Sequence, residues 1–111
     1  MPPVTIYTNN KDRVAPITDM FSGLTQIIAD ELTCPERKLI GKDIHVVVLV
    51  PEASYNSADT RIDIFAYGYP DRIKRQDDIC HNVKQYMMKN CPAAGSVDVF
   101  LPLGELGYSF D

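Results

Sequence analysis

Hydrophobic positions in this chain first alternate, then recur at helical spacing, then run almost unbroken. A similar order begins again near residue 61. In the first half, Val4 to Asn9 reads as a short strand. Ile17, Met20, Phe21, Leu24, Ile27, Ile28 and Leu32 then recur in three- and four-residue steps, the spacing of one helix face. Pro16 suits a first helical turn, and Pro35 lies just past the helix end. Ile44-His45-Val46-Val47-Val48-Leu49-Val50 follows as a nearly continuous β-branched run, the pattern of a strand covered on both faces. In the second half, Arg61 to Tyr67 alternates, with Ile62, Ile64 and Ala66 on one face and Asp63, Phe65 and Tyr67 on the other. Pro70 and Asp71 open a helical pattern carried by Ile79, Cys80, Val83, Tyr86 and Met87. Asn90, Pro92 and Gly95 close it. Val97, Val99 and Leu101 share one side of a last strand. Glu52 to Thr60 is a polar connecting loop, and the tail from Gly104 to Asp111 is a loop or short terminal strand.

The expected order is β-α-β twice, in halves of about 1–51 and 61–102. Each half needs a crossover helix, so its two strands run parallel with a right-handed connection. The economical fold is α+β: two βαβ units forming a four-stranded sheet with two helices on one face. The other face then carries Tyr7, Phe65, Phe100 and the valines of the second strand. An apolar face of that size marks an interface, so a homo-oligomer is expected, most simply a trimer closing around one axis.

At 111 residues the chain reads as one domain with a modest core. Its net charge of −4 speaks against nucleic acid and anionic membranes as partners. No apolar run reaches the length of a membrane span, and no signal peptide is readable at the N-terminus. Cys34, Cys80 and Cys91 are odd in number, without a CxxC pair or a ligand-like spacing to His45 or His81. That usage fits a reducing cytoplasm and gives no metal signature.

Pro2 is the first candidate for chemistry. It precedes the apolar run Val4-Thr5-Ile6-Tyr7. With Met1 removed, it starts the chain with a secondary amine at the end of a strand. An α-amino group titrates near pH ~7.7–8.0. Burial disfavours its charged form and lowers that pKa. The nitrogen then serves as a general base when neutral or a general acid when protonated. Pro3 follows, and a second proline slows removal of Met1; a retained Met1 makes the Pro2 nitrogen a non-basic amide.

Arg72 and Arg75 are the second candidates. They lie three residues apart at the start of the second helix, on one face. A planar guanidinium fork matches a carboxylate, and a helix start attracts anions. A solvated basic turn partly neutralised by Asp77 and Asp78 is the competing reading. His45 is assigned to the core or an interface, and His81, Lys11, Arg13, Lys38 and Lys42 to the surface. Tyr67, Tyr69 and Tyr108 either orient a substrate oxygen or pack at an edge. Glu105 in the Gly-rich tail is either an acid/base partner or a solvated carboxylate.

Pro2 ahead of the first strand, with a doubled βαβ unit, resembles the tautomerase superfamily. Met1-Pro2, Thr8-Asn9, Pro16 and Phe21-Ser22-Gly23-Leu24-Thr25-Gln26 are similar to its macrophage migration inhibitory factor branch. Ile64-Phe65-Ala66-Tyr67-Gly68, with Arg72 and Arg75 after it, resembles the cis-3-chloroacrylic acid dehalogenase branch. The resemblance implies Pro2 as the catalytic acid or base, Arg72 and Arg75 as carboxylate ligands, and Glu105 and Tyr108 on the substrate side. It implies no metal or organic cofactor. The migration-factor branch has a lysine where this chain has Cys34. The dehalogenase branch has a late-helix histidine where this chain has Asp30 and Glu31. Those departures speak against dehalogenation and hydration and leave keto–enol proton transfer on a small 2-oxo or enol acid. Decarboxylation, hydration or dehalogenation at Pro2 is the alternative chemistry, and a non-catalytic binding or signalling oligomer is the alternative of another class.

Overall fold

The computed structural model describes residues 2–51 and 58–104. In chain order the elements are β1 (Pro3–Thr8), α1 (Val14–Asp19), α2 (Phe21–Leu32) and β2 (His45–Leu49), then β3 (Thr60–Ile64), β4 (Ala66–Tyr67), α3 (Pro70–Lys74), α4 (Gln76–Asn90), β5 (Val97–Phe100) and β6 (Leu103–Gly104). Four strands form one sheet in the order β2-β1-β3-β5. β1 and β2 are parallel, as are β3 and β5, and the halves join through the antiparallel pair β1–β3. This is the expected four-stranded α+β arrangement of two βαβ units.

One side of the sheet is the core. Val4 and Ile6 of β1 and Ile62 and Ile64 of β3 alternate inward. Against them lie Leu24, Ile28 and Leu32 of α2 and Ile79, Val83 and Met87 of α4, all with no exposed surface. Each such aliphatic side chain contributes about 1.5–3 kcal/mol when taken out of water. The other side stays open within one chain: Val47, Leu49, Phe65 and Phe100 keep between 37% and 48% of their surface exposed.

The structure differs from the sequence expectation at three places. The first helical stretch is two helices meeting at Met20 (φ −106°, ψ 11°), and the second is two meeting at Arg75 (φ −105°, ψ 13°). The near-identical dihedrals carry the internal repeat down to the bend. The strand expected over Arg61–Tyr67 ends at Ile64, and Ala66–Tyr67 leaves to form a second, two-stranded parallel sheet with β6. The run expected to be covered on both faces, β2, is an edge strand with alternating exposure, His45, Val47 and Leu49 facing out. Among the described residues no helix is long and apolar enough to cross a membrane.

The two halves are latched at the end of the sheet where β1 finishes and β3 and β5 begin. Asp59 accepts from Asn9 Nδ2 at 2.9 Å and from the Ser96 backbone N–H at 3.0 Å. Arg13 donates to the Ala93 carbonyl at 2.7 Å. The Ser96 backbone bond, then the Asn9 side chain, hold the Asp59 carboxyl below its ordinary pKa. Gly95 has φ +73°, and an added Cβ there would overlap the Asp59 carboxylate.

Candidate active site

Pro2 lies at the opposite end, where β1 begins. It is buried, in phase with Val4 and Ile6. Its carbonyl accepts the His45 N–H at 3.3 Å, and the Pro3 carbonyl accepts the Phe65 N–H at 3.1 Å. The start of the central strand is thus held by both neighbouring strands. His45 reaches Pro2 through its backbone, while its side chain is exposed on the outer sheet face. Phe65 follows the last residue of β3, and the chain from there supplies Tyr67 and Tyr69, whose rings stand 4.8 Å apart.

Arg72 reaches the segment that follows β3, where its Nη1 donates to the Tyr67 carbonyl at 3.2 Å. Arg72 is fully buried, and its Nε donates to the Leu32 carbonyl at 2.8 Å. Its guanidinium carbon lies 4.9 Å from the Tyr69 ring centre. Arg75 Nη1 donates to the Glu31 carbonyl at 3.0 Å and Nη2 to the Thr33 carbonyl at 3.2 Å. Its Nε and Nη2 both bond Asp71 Oδ2, at 3.0 and 2.8 Å. The hydrogen bond to Asp71 raises the Arg75 pKa, against the lowering effect of burial.

Together the two arginines close the end of α2. The last carbonyls of a helix have no intrahelical partner and carry partial negative charge. Those of Glu31, Leu32 and Thr33 receive arginine donors. The three-residue spacing visible in the sequence therefore serves a helix end some forty residues earlier, a partner no local pattern points to. Asp71, which fixes Arg75, was also missed. Its only sequence signal is its place four residues before Arg75, the spacing of a helical ion pair.

The remaining candidates fall as follows. Cys34, just past α2, is buried and forms a small antiparallel bridge with Arg37. His81 is exposed on α4. Cys80 is half-buried, and burial first, then the nearby Asp77, pushes its thiol pKa up. Glu105 and Tyr108 lie outside the described residues.

Compared by sequence, the chain matches no protein-family model and no curated protein. Compared by structure, it is similar to 5-carboxymethyl-2-hydroxymuconate delta-isomerase, with a TM-score of 0.63 at 13% identity over 98% of this chain and 86% of that one. It is similar to a macrophage migration inhibitory factor-like protein from Entamoeba histolytica, with a TM-score of 0.56 at 10% identity over 99% and 95% of the two chains. It is also similar to a malonate semialdehyde decarboxylase, a protein with decarboxylase and hydratase activities, with a TM-score of 0.56 at 12% identity over 100% and 90%. At these identities the likeness is one of fold, and the fold of this chain is that of the tautomerase superfamily, to which all three belong.

Proposed function

We propose that this chain is a keto–enol tautomerase whose amino-terminal Pro2, once Met1 is removed, moves a proton on a small 2-oxo or enol carboxylic acid. The single observation that carries this reading is the placement of Pro2: buried, directly ahead of the central strand β1, with its carbonyl tied to His45. Burial disfavours the charged form of an amine, and a general base must be neutral. It removes a proton from the carbon beside the keto group. The C–H pair becomes the carbon–carbon double bond, and the carbonyl oxygen takes up the proton.

Arg75 is proposed as the carboxylate contact, since its side chain keeps 31% of its surface exposed. Arg72, wholly buried, belongs to the same site as the residue that holds Tyr67 and the end of α2 in place. Glu105 and Tyr108 are proposed to complete the substrate side. A trimer is proposed, with the open apolar sheet faces of Val47, Leu49, Phe65 and Phe100 turned toward one another.

One observation favours a second reading. Arg72 and Arg75 donate to backbone carbonyls, and Arg75 also to Asp71, as in a structural helix closure. On that reading the chain is a non-catalytic oligomer that binds a partner. Enolisation of a panel of 2-oxo acids by the processed protein separates the two. The tautomerase loses turnover on Pro2→Ala, and the binding module has none to lose.

A further inference from the structure

We infer that the groove between the first turns of α2 and the turn at residues 40–44 is a second small-molecule site, built for a compact monoanion with an apolar body such as an aryl carboxylate. The Pro2 chemistry leaves this part of the molecule unused.

Size and walls come first. The cavity holds about 490 Å³, within the range of roughly 300–1,000 Å³ typical of small-molecule sites. Its apolar lining is Phe21 from the helix and Ile40 and Ile44 from the turn. Ile40 keeps 52% of its surface exposed beside the part-buried Phe21. That surface is what a flat apolar ligand would cover.

The polar side of the groove carries one charge. Lys42 lines it, and among the described residues no carboxylate lies within ion-pair distance of the ammonium. The two acids closest to the groove in the bonding pattern hydrogen-bond residues of its walls rather than the Lys42 ammonium. Asp43 Oδ2 accepts the Ile40 N–H at 2.9 Å, and Asp30 Oδ1 accepts from Gln26 Nε2 at 2.8 Å. The Ser22 and Thr25 hydroxyls line the same wall, with Thr25 Oγ1 donating to the Ser22 carbonyl at 3.2 Å. One cation with the Ser22 hydroxyl beside it suits a single negative charge. A dianionic phosphate would need more, on a chain of net charge −4.

The shape is preformed. Gln26 Oε1 accepts the Gly41 N–H at 3.3 Å and so docks the turn on the helix. A Cβ at Gly41 would come within 3.1 Å of that oxygen and 3.4 Å of Thr25 Oγ1, so glycine permits the close approach. A site that need not rearrange loses less entropy on binding.

The test is an amide chemical-shift titration of the intact protein with benzoate, with neutral benzamide and with inorganic phosphate. Benzoate is expected to shift Ser22, Thr25, Gly41 and Lys42, and to bind at least ~10-fold tighter than benzamide, the scale of one charge-assisted contact. Lys42→Met, at an exposed position, should erase that preference, and Ile40→Ser should weaken both aryl ligands. Pro2→Ala should leave all of this unchanged, which separates the groove from the Pro2 site. Equal binding of benzoate and benzamide, unchanged benzoate affinity in Lys42→Met, tighter phosphate binding, or shifts confined to the Pro2–Phe65 end would each overturn the assignment.

Discussion

The carbonyl of Pro2 accepts the backbone N–H of His45 at 3.3 Å. That contact sets the residue just ahead of the central strand against an edge strand from the far side of a crossover. With Pro3 bonded to Phe65 on the other flank, the backbone at Pro2 is tied to both neighbouring segments, and the ring itself is buried.

Arg72→Ala should destabilise the protein by about 3 kcal/mol. It strips the Leu32 and Tyr67 carbonyls of a buried charged donor and empties a fully buried position. Arg75→Ala should cost about 1 kcal/mol, since that guanidinium is partly solvated. Urea unfolding of both variants checks this, and equal shifts in the midpoints would contradict the difference in burial.

Gly95→Ala should cost roughly 1–3 kcal/mol. The backbone there has φ +73°, and the added methyl meets Asp59. The comparison is with Gly104→Ala, where an added Cβ meets nothing within 4 Å and thermal stability should hold.

Asp59 supplies a pH dependence. Its folded-state pKa lies below the ordinary 3.8 because backbone and side-chain donors hold the charged form. Its contribution to stability is thus fully present above that ordinary value and is lost as pH falls through the lower folded value. Asp59→Asn should flatten the acid limb of a stability–pH curve and leave its shape above pH ~5 unchanged. An unaltered acid limb would mean that the latch between Asn9, Asp59 and Ser96 carries no linkage.

Val47→Lys places a charge on the edge strand of the open sheet face, on a residue already 37% exposed in the single chain. The variant should fold as the parent does but sediment as a monomer at low micromolar concentration, where the parent runs as a trimer. A parent that is itself monomeric would remove the trimer from the proposal.

Much of the fold was legible because burial imposes a period. Val4 and Ile6 alternate, Leu24, Ile28 and Leu32 recur at helical steps, and both patterns appear in the burial of these residues. The bends at Met20 and Arg75 were not legible, because the apolar spacing runs through them: Ile17, Met20, Phe21 and Leu24 keep their face across the break. The strand end at Ile64 was hidden in the same way, since alternation continues through Ala66 into a different sheet. The valines of β2 suggested cover on both faces, yet in one chain the outward row is open. At the site, Pro2 was visible from its position alone. The arginines were visible as a pair, but their carbonyl partners at Glu31, Leu32 and Thr33 depend on the packing of one βαβ unit against the other.

The measurement that bears most directly on Pro2 is a pH–rate profile for phenylpyruvate enolisation, run on protein whose intact mass shows Met1 removed. Pro2→Ala and a form retaining Met1 run beside it. The proposal predicts a rate that rises through a single lowered amine pKa in the processed protein. It predicts a loss of about 10²-fold or more in Pro2→Ala, and no such rise where Met1 turns the nitrogen into an amide. Equal rates across the three proteins, or a profile without that ionisation, would contradict a catalytic Pro2.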